Sequence, residues 1–441
     1  MIRQRLSVDQ IAKPLTDSDL AEAVRLVKLQ IGSLSGLPEK WVQFGQEKVA
    51  LAEESAEFML RQCFRLHREG FPAFELDYLL LVERQLEGIF DALLALYRLH
   101  PGLLYQLGDS SPAVLVWALF NPKLQKEHPG HLLIAIDCLS KLPSEMAKML
   151  VLHANSTELD SLFAKLIEGQ ASGSLDYFQY LVLRQTQSVA LTKYWASSKK
   201  LDAKPLQVSL ALANVDESIE WLEENEVGDA SLFERLLLKE DRNTWFRQYF
   251  GTDLMTLPNG LVATYAKLLE LHEFMAFDVG QKEAPIHLAL VGDTSWVTTA
   301  VEHMQALDED DGELWWSALY VVYGDLLPYR PSQLGVDVEW SDALVSLSLW
   351  TTETQVLRSQ PIRLGRSLNF DNTLRALKSP EINSMLREWL WRQLCIRSRL
   401  YVPWDAMMPR IQQQLLIQQM ANMPVATERF NLRNQYAAVG Y

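Results

Sequence analysis

Apolar residues along this chain recur at helical spacing over residues 18–420, and strand-like alternation is nearly absent. Residues 18–31 place Leu20, Val24, Val27 and Ile31 on one face, with Asp17 or Ser18 positioned to cap and the GSLSGLP stretch to stop the helix. Residues 41–68 carry a longer stripe of Ala52, Ala56, Met59, Leu60 and Cys63 that halts at Gly70 and Pro72. Residues 76–99 repeat the pattern through Leu79, Val82, Leu86, Ile89, Leu93 and Leu96 before Pro101 and Gly102. The two long segments predict a helical hairpin, and residues 1–105 read as an N-terminal helical domain.

Over residues 106–330 the pattern repeats. LVLRQTQSVALTKYW (181–195) and LALANVDESIEWL (210–222) begin about 29 residues apart, and LALVGDTSWVTTAV (288–301) has the same form: an apolar helix end, a short polar turn, a second helix. Residues 285–327 give the clearest case, with a Gly292-Asp293 turn, an acidic loop, and a helix bearing Trp315 and Trp316. One such unit cannot bury its apolar face alone, so it stacks on others. The fold class expected is all-α, an α-solenoid of HEAT-like helical repeats flanked by the N-terminal hairpin and a C-terminal helical module. At least half the residues should be helical, with no sheet beyond two short strands.

Residues 331–441 read as a linker followed by that basic module. VDVEW (336–340) and ALVSLSLW (343–350) fit either short helices or extended stretches, residues 369–377 and 384–397 are helical, and residues 425–441 offer few anchors.

Charge adds a polarity to this picture. The chain of 441 residues has a net charge of -15, which opposes general binding to nucleic acid. Residues 214–313 hold 22 acidic against 6 basic side chains, whereas residues 358–441 hold 12 basic against 5 acidic. An acidic middle therefore precedes a basic tail, read either as solvated helix faces or as a polarised interaction surface. Three cysteines far apart point to a reducing compartment, and no signal peptide or membrane span is expected, so a cytoplasmic location follows.

Candidate chemistry is sparse. His128 and His131 flank Pro129-Gly130 without a third ligand, and His272-Glu273 opens no HExxH. The acids of DEDDGE (308–313) lack the spacing of a calcium loop and suit the start of the next helix. No GxSxG, P-loop or GxGxxG is present. The expectation is a non-enzyme with no catalytic, metal or cofactor residues. Of each close tryptophan pair, one should be core and the other nearer the surface. The protein-binding candidates are Arg387, Trp391, Arg392, Arg397 and Arg399 in the basic module, together with Trp315. On a helix Trp391 lies about 40° from Arg387, and Arg392 and Arg399 lie about 20° apart, so the arginines cover more than one side. They either pair with the acidic stretch of this chain or dock a partner.

YLLLVERQLEGIFDALLAL (78–96), LALVGDTSWVTTAVEHM (288–304), ELWWSALYVVYGDLL (313–327) and SQPIRLGRSLNFDNTLRALKSPEINSMLREWLWRQL (359–394) carry a resemblance to a bacterial HEAT-repeat family of poorly defined function, associated with type VI secretion gene clusters. A Gln-rich finish at residues 409–415 is also similar. The resemblance implies a cytoplasmic adaptor or scaffold that accompanies a secretion effector or spike component, with no catalytic residues to carry over. The alternatives are a nucleic-acid-acting HEAT-type enzyme resembling alkylpurine glycosylases, and a structural subunit of a larger complex. A protein partner is expected, with no nucleic acid and no membrane, and the oligomeric state stays open.

Overall fold

The computed structural model describes residues 4–11, 13–69, 75–128, 130–225, 232–251, 260–271, 275–353 and 361–436. The protein is all-α. Among the described residues the only paired strands are Ile362–Arg363 and Arg366–Ser367, an antiparallel pair of two residues each. No described helix is long and apolar enough to cross a membrane.

The chain divides into two compact units, Met1–Leu66 with Asp77–Trp221 and Met407–Gln412, and His67–Leu76 with Leu222–Ala406 and Gln413–Tyr441. Positions 105 and 330 each fall inside a unit.

In the first unit the three opening helices are Asp17–Ser33, Glu39–Glu69 and Glu75–Leu99. Thr16 rather than Asp17 or Ser18 begins the first, its N–H donating to the Asp19 carboxylate at 2.7 Å. Helices of about ten residues then follow one another: Glu158–Glu168, Ser174–Leu183, Val189–Ser198, Ala203–Leu212 and Asp216–Glu224. The stops between them share one device. Gln170, Gln185, Lys199 and Asn214 are left-handed, with φ of 54°, 58°, 55° and 59°. After each, an N–H reaches back five residues: Ala171 to Leu166, Thr186 to Leu181, Lys200 to Trp195 and Val215 to Leu210, at 3.0 to 3.3 Å. This is the Schellman stop, which satisfies carbonyls that a helix end leaves open. Its recurrence every 14 or 15 residues is the physical basis of the 29-residue period.

The second unit contains the helix-turn-helix read from residues 285–327. Ala284–Val291 is buried along its whole length and ends at Gly292, whose φ is +67°. The Asp293 side chain then accepts from the Ser295 N–H at 2.8 Å and starts the turn that feeds Val297–Met304. Asp308 caps Glu309–Tyr323, accepting from the Asp311 N–H at 3.0 Å, and three acids fill the first turn, where the helix dipole favours them. Every residue from Trp315 to Tyr323 is buried. Both tryptophans are therefore core, contrary to the expected split, because this helix is covered on more than one side. Trp389 and Trp391 are both buried as well.

Beyond it, Pro331–Gln333 forms a 3-10 turn, Leu334 bridges Val338, and Trp340–Glu353 is a helix, which settles the ambiguous VDVEW and ALVSLSLW stretches. The two short strands make a hairpin whose two turn residues, Leu364 and Gly365, both have positive φ. That is the twist a two-residue hairpin needs. The chain's last described segment is the helix Pro424–Tyr436, anchored by the fully buried Phe430 against Phe370. The expected lack of anchors there does not hold.

Candidate functional site

The sequence-based candidates converge on the helix Ser384–Ser398 of the second unit. The Asn383 side chain starts it by accepting from the Met385 N–H at 2.9 Å. Arg399 ends it in the left-handed conformation, with the Leu400 N–H returning to Cys395. Four elements pack around it: Leu232–Leu238, Ala284–Val291, Phe370–Lys378 and Pro424–Tyr436. A helix so surrounded buries its polar side chains too.

Arg387 is buried, donating from Nε to the Leu377 carbonyl at 3.1 Å and from Nη2 to Gln413 Oε1 at 2.7 Å, with its guanidinium 5.4 Å from the Trp404 ring. Burial without a carboxylate partner holds its pKa below the ordinary arginine value. Trp391 donates from Nε1 to the Val402 carbonyl at 3.0 Å and packs on Phe233 and Trp404. Arg392 is half-buried over the Trp389 ring, donating to the Tyr265 hydroxyl at 3.1 Å and to Glu388 at 2.5 Å. Burial opposes its charge, but Tyr265 and Glu388 outweigh that and raise its pKa. Beside it the Glu234 carboxyl is pushed up by burial. Arg397 is 1% exposed, paired with Glu270, and lies 5.2 Å over Phe430. Trp315 sits elsewhere in the unit, between Phe277 and His303.

Arg387, Trp391, Arg397 and Trp315 are thus internal groups and cannot serve as exposed docking anchors. The acceptors of Arg387, Trp391 and Arg397 come from segments 10 to 129 positions away, which no local pattern displays. Of the six candidates Arg399 alone is exposed, donating to the Glu240 carbonyl.

Arg397 and Arg399 lead to an open pocket of about 370 Å³ at the end of the arginine helix, lined also by Arg242, Arg429, Glu240 and Asp241. The charge reading anticipated arginines meeting the acidic stretch, and Glu240 and Glu270 do belong to it. Arg242 and Arg429 were missed, since they lie on separate helices.

Other candidates resolve structurally. His131 is buried, bonded through Nδ1 to the Leu124 carbonyl at 2.7 Å and through Nε2 to the Tyr105 hydroxyl at 3.0 Å. His272 and Glu273 lie outside the described residues. Among the described residues no group of three or more metal-ligating side chains comes together. Cys63, Cys138 and Cys395 are buried, and burial raises their thiols to about 12, 11 and 12.

A different surface was not singled out from the sequence. Phe44, Leu51 and Phe58 on Glu39–Glu69 are 54%, 61% and 52% exposed. The missed signal is their seven-residue spacing on the polar side of an amphipathic helix. Comparison with protein-family models, curated proteins and solved structures finds no match.

Proposed function

We propose that this chain is a non-catalytic protein-binding scaffold or adaptor, with a HEAT-like repeat architecture, whose partner docks a helix along Phe44, Leu51 and Phe58. The carrying observation is the exposure of all three in one line. Residues seven apart on an α-helix drift only about 20° per step, so these rings and the leucine form a seam spanning about 21 Å. Single exposed apolar residues are ordinary, but a seam at coiled-coil spacing is what a partner helix covers with its own apolar stripe. The link to type VI secretion rests on the resemblance of the four stretches given above, and the partner we expect is a cytoplasmic effector or spike component of that apparatus.

Affinity capture from the native cell, comparing the wild type with Phe44→Ser/Leu51→Ser/Phe58→Ser, tests this. The wild type should retain a secretion component or effector, and the triple variant should lose it with an unchanged melting temperature. Equal capture by both proteins removes the seam as the docking site. Partners unrelated to secretion remove the assignment to that apparatus.

A further inference from the structure

We infer that a cleft in the first unit is a binding site for a monocationic amine with an apolar body. The cleft is partly open, has a volume of about 290 Å³, and lies between the helices Glu39–Glu69, Glu75–Leu99 and Ser144–His153. The inference does not rest on the adaptor reading. Leu60, in the cleft, is nine residues beyond Leu51, half a turn away at about 100° per residue, so cleft and seam occupy opposite faces of that helix.

The first observation is how the cleft is built. Its floor is apolar and buried: Leu60 from the first of these helices, Leu86 and Phe90 from the second, Met149 and Leu150 from the third. The half-buried Trp117 forms a wall, meeting Phe90 edge to face with centroids 6.0 Å apart and planes at 88°. Glu83, Leu86, Glu87 and Phe90 follow at i, i+3, i+4 and i+7, so one helix face carries both the floor and two carboxylates at the mouth. An apolar body with a few convergent polar groups is the usual form of a small-molecule site.

The second observation is charge. Glu83 and Glu87 line the cleft, and among the described residues no lysine or arginine does. Apolar surroundings push the Glu83 carboxyl up, with Arg410 opposing the shift and Glu87 adding to it. The Glu83 charge is felt inside the cleft, where the Cys63 thiol is raised chiefly by burial and further by Glu83. Two carboxylates against Arg410 leave one negative charge. Lys123, 5.8 Å from the Phe90 ring, is held by Asp91 at 2.8 Å and leaves that balance unchanged. A ligand bearing one ammonium answers the excess while its apolar body covers the floor. A metal ion would want several ligands, and no group of three metal-ligating side chains forms among the described residues.

The test is calorimetric titration of the full chain. His153 also lines the cleft, so the titration is run at pH 8, above the ordinary histidine range. Phenethylamine is compared with phenylethanol, its neutral counterpart, and with phenylpropionate at matched ionic strength. Saturable binding of phenethylamine at a Kd of ~1 mM or tighter is expected, with phenylethanol at least about tenfold weaker and phenylpropionate without saturation. A lysine side chain of a partner protein offers the same ammonium, so Nα-acetyl-lysine amide is titrated as well. Tighter binding of the lysine amide assigns the cleft to such a side chain, and equal or weaker binding assigns it to a free amine. The control variant is Glu83→Gln/Glu87→Gln, which keeps the size of both side chains and removes their charge. It should melt as the wild type does and bind phenethylamine at least about tenfold more weakly. Absence of saturation with either amine, phenylethanol binding as tightly, or undiminished binding by the variant overturns the inference.

Discussion

The Ile362 N–H donates to the Gly292 carbonyl at 2.9 Å, tying the strand that opens the hairpin onto the helix stop seventy residues earlier. The contact is close enough to exclude a side chain. A Cβ at position 292 would stand 2.2 Å from the Ile362 carbonyl oxygen, and φ there is +67°. The same strand places the Arg363 guanidinium on the carbonyls of Ala289 and Leu290, with Gln393 bridging from the arginine helix at 2.9 Å. The turn that organises residues 285–327 is thus also where the hairpin strand and the arginine helix meet.

Gly292→Ala should therefore destabilise the second unit by roughly 2 kcal/mol or more, combining a left-handed alanine with displacement of the strand backbone. Urea unfolding followed by circular dichroism reads this directly. A midpoint within error of the wild type would show that the hairpin can lift off Gly292 freely.

Arg184→Met tests the fully satisfied arginine of the first unit. It strands the Asp160 carboxylate, only 3% exposed, with the Thr186 hydroxyl at 3.2 Å among its remaining donors. The expected loss is about 3 to 5 kcal/mol. Arg184→Lys should recover little, because an ammonium cannot make the two-pronged contact to Asp160 while reaching three carbonyls. Full stability in either variant would mean that the pair contributes no more than a surface ion pair.

What the sequence displays and what it conceals divide along the range of the forces involved. Helix stops are local: Gly292, Asn214 and the capping Asp308 are visible because their conformational and hydrogen-bonding preferences act within a few residues. Gln170, Gln185 and Lys199 perform the same stop without being typical stop residues, which is why the period showed while its mechanism did not. The arginines misled for the opposite reason. A helix bearing Arg387, Arg392 and Arg397 looks solvent-facing, yet Gln413, Tyr265 and Glu270 supply partners through tertiary packing. The Phe44, Leu51 and Phe58 seam is masked in the sequence by the richer apolar stripe on the buried side of the same helix.

Two buried histidines set a pH dependence whose sign is fixed by their environments. In the first unit, burial lowers the His131 pKa to about 4, with the neighbouring His128 adding to the shift and the Leu124 carbonyl and Glu127 opposing it. In the second unit, burial lowers His287 to about 3, reinforced by the charge of Lys267. Thr264 donates its hydroxyl hydrogen to the Gly260 carbonyl at 2.8 Å, which leaves its oxygen to accept from His287 Nε2 at 2.9 Å. An unfolded histidine titrates near 6.5. Between that pH and the lowered folded values, the unfolded chain binds protons that the folded chain refuses, so stability falls as pH falls through 6.5. At pH 5 the loss reaches roughly 2 kcal/mol for each unit. His131→Gln and His287→Gln cannot titrate and should flatten the dependence of their own unit between pH 7 and 5, whatever they cost at pH 7. Chemical denaturation at both pH values decides the matter: an equal acid-induced drop in wild type and variants would assign the acid sensitivity to other groups.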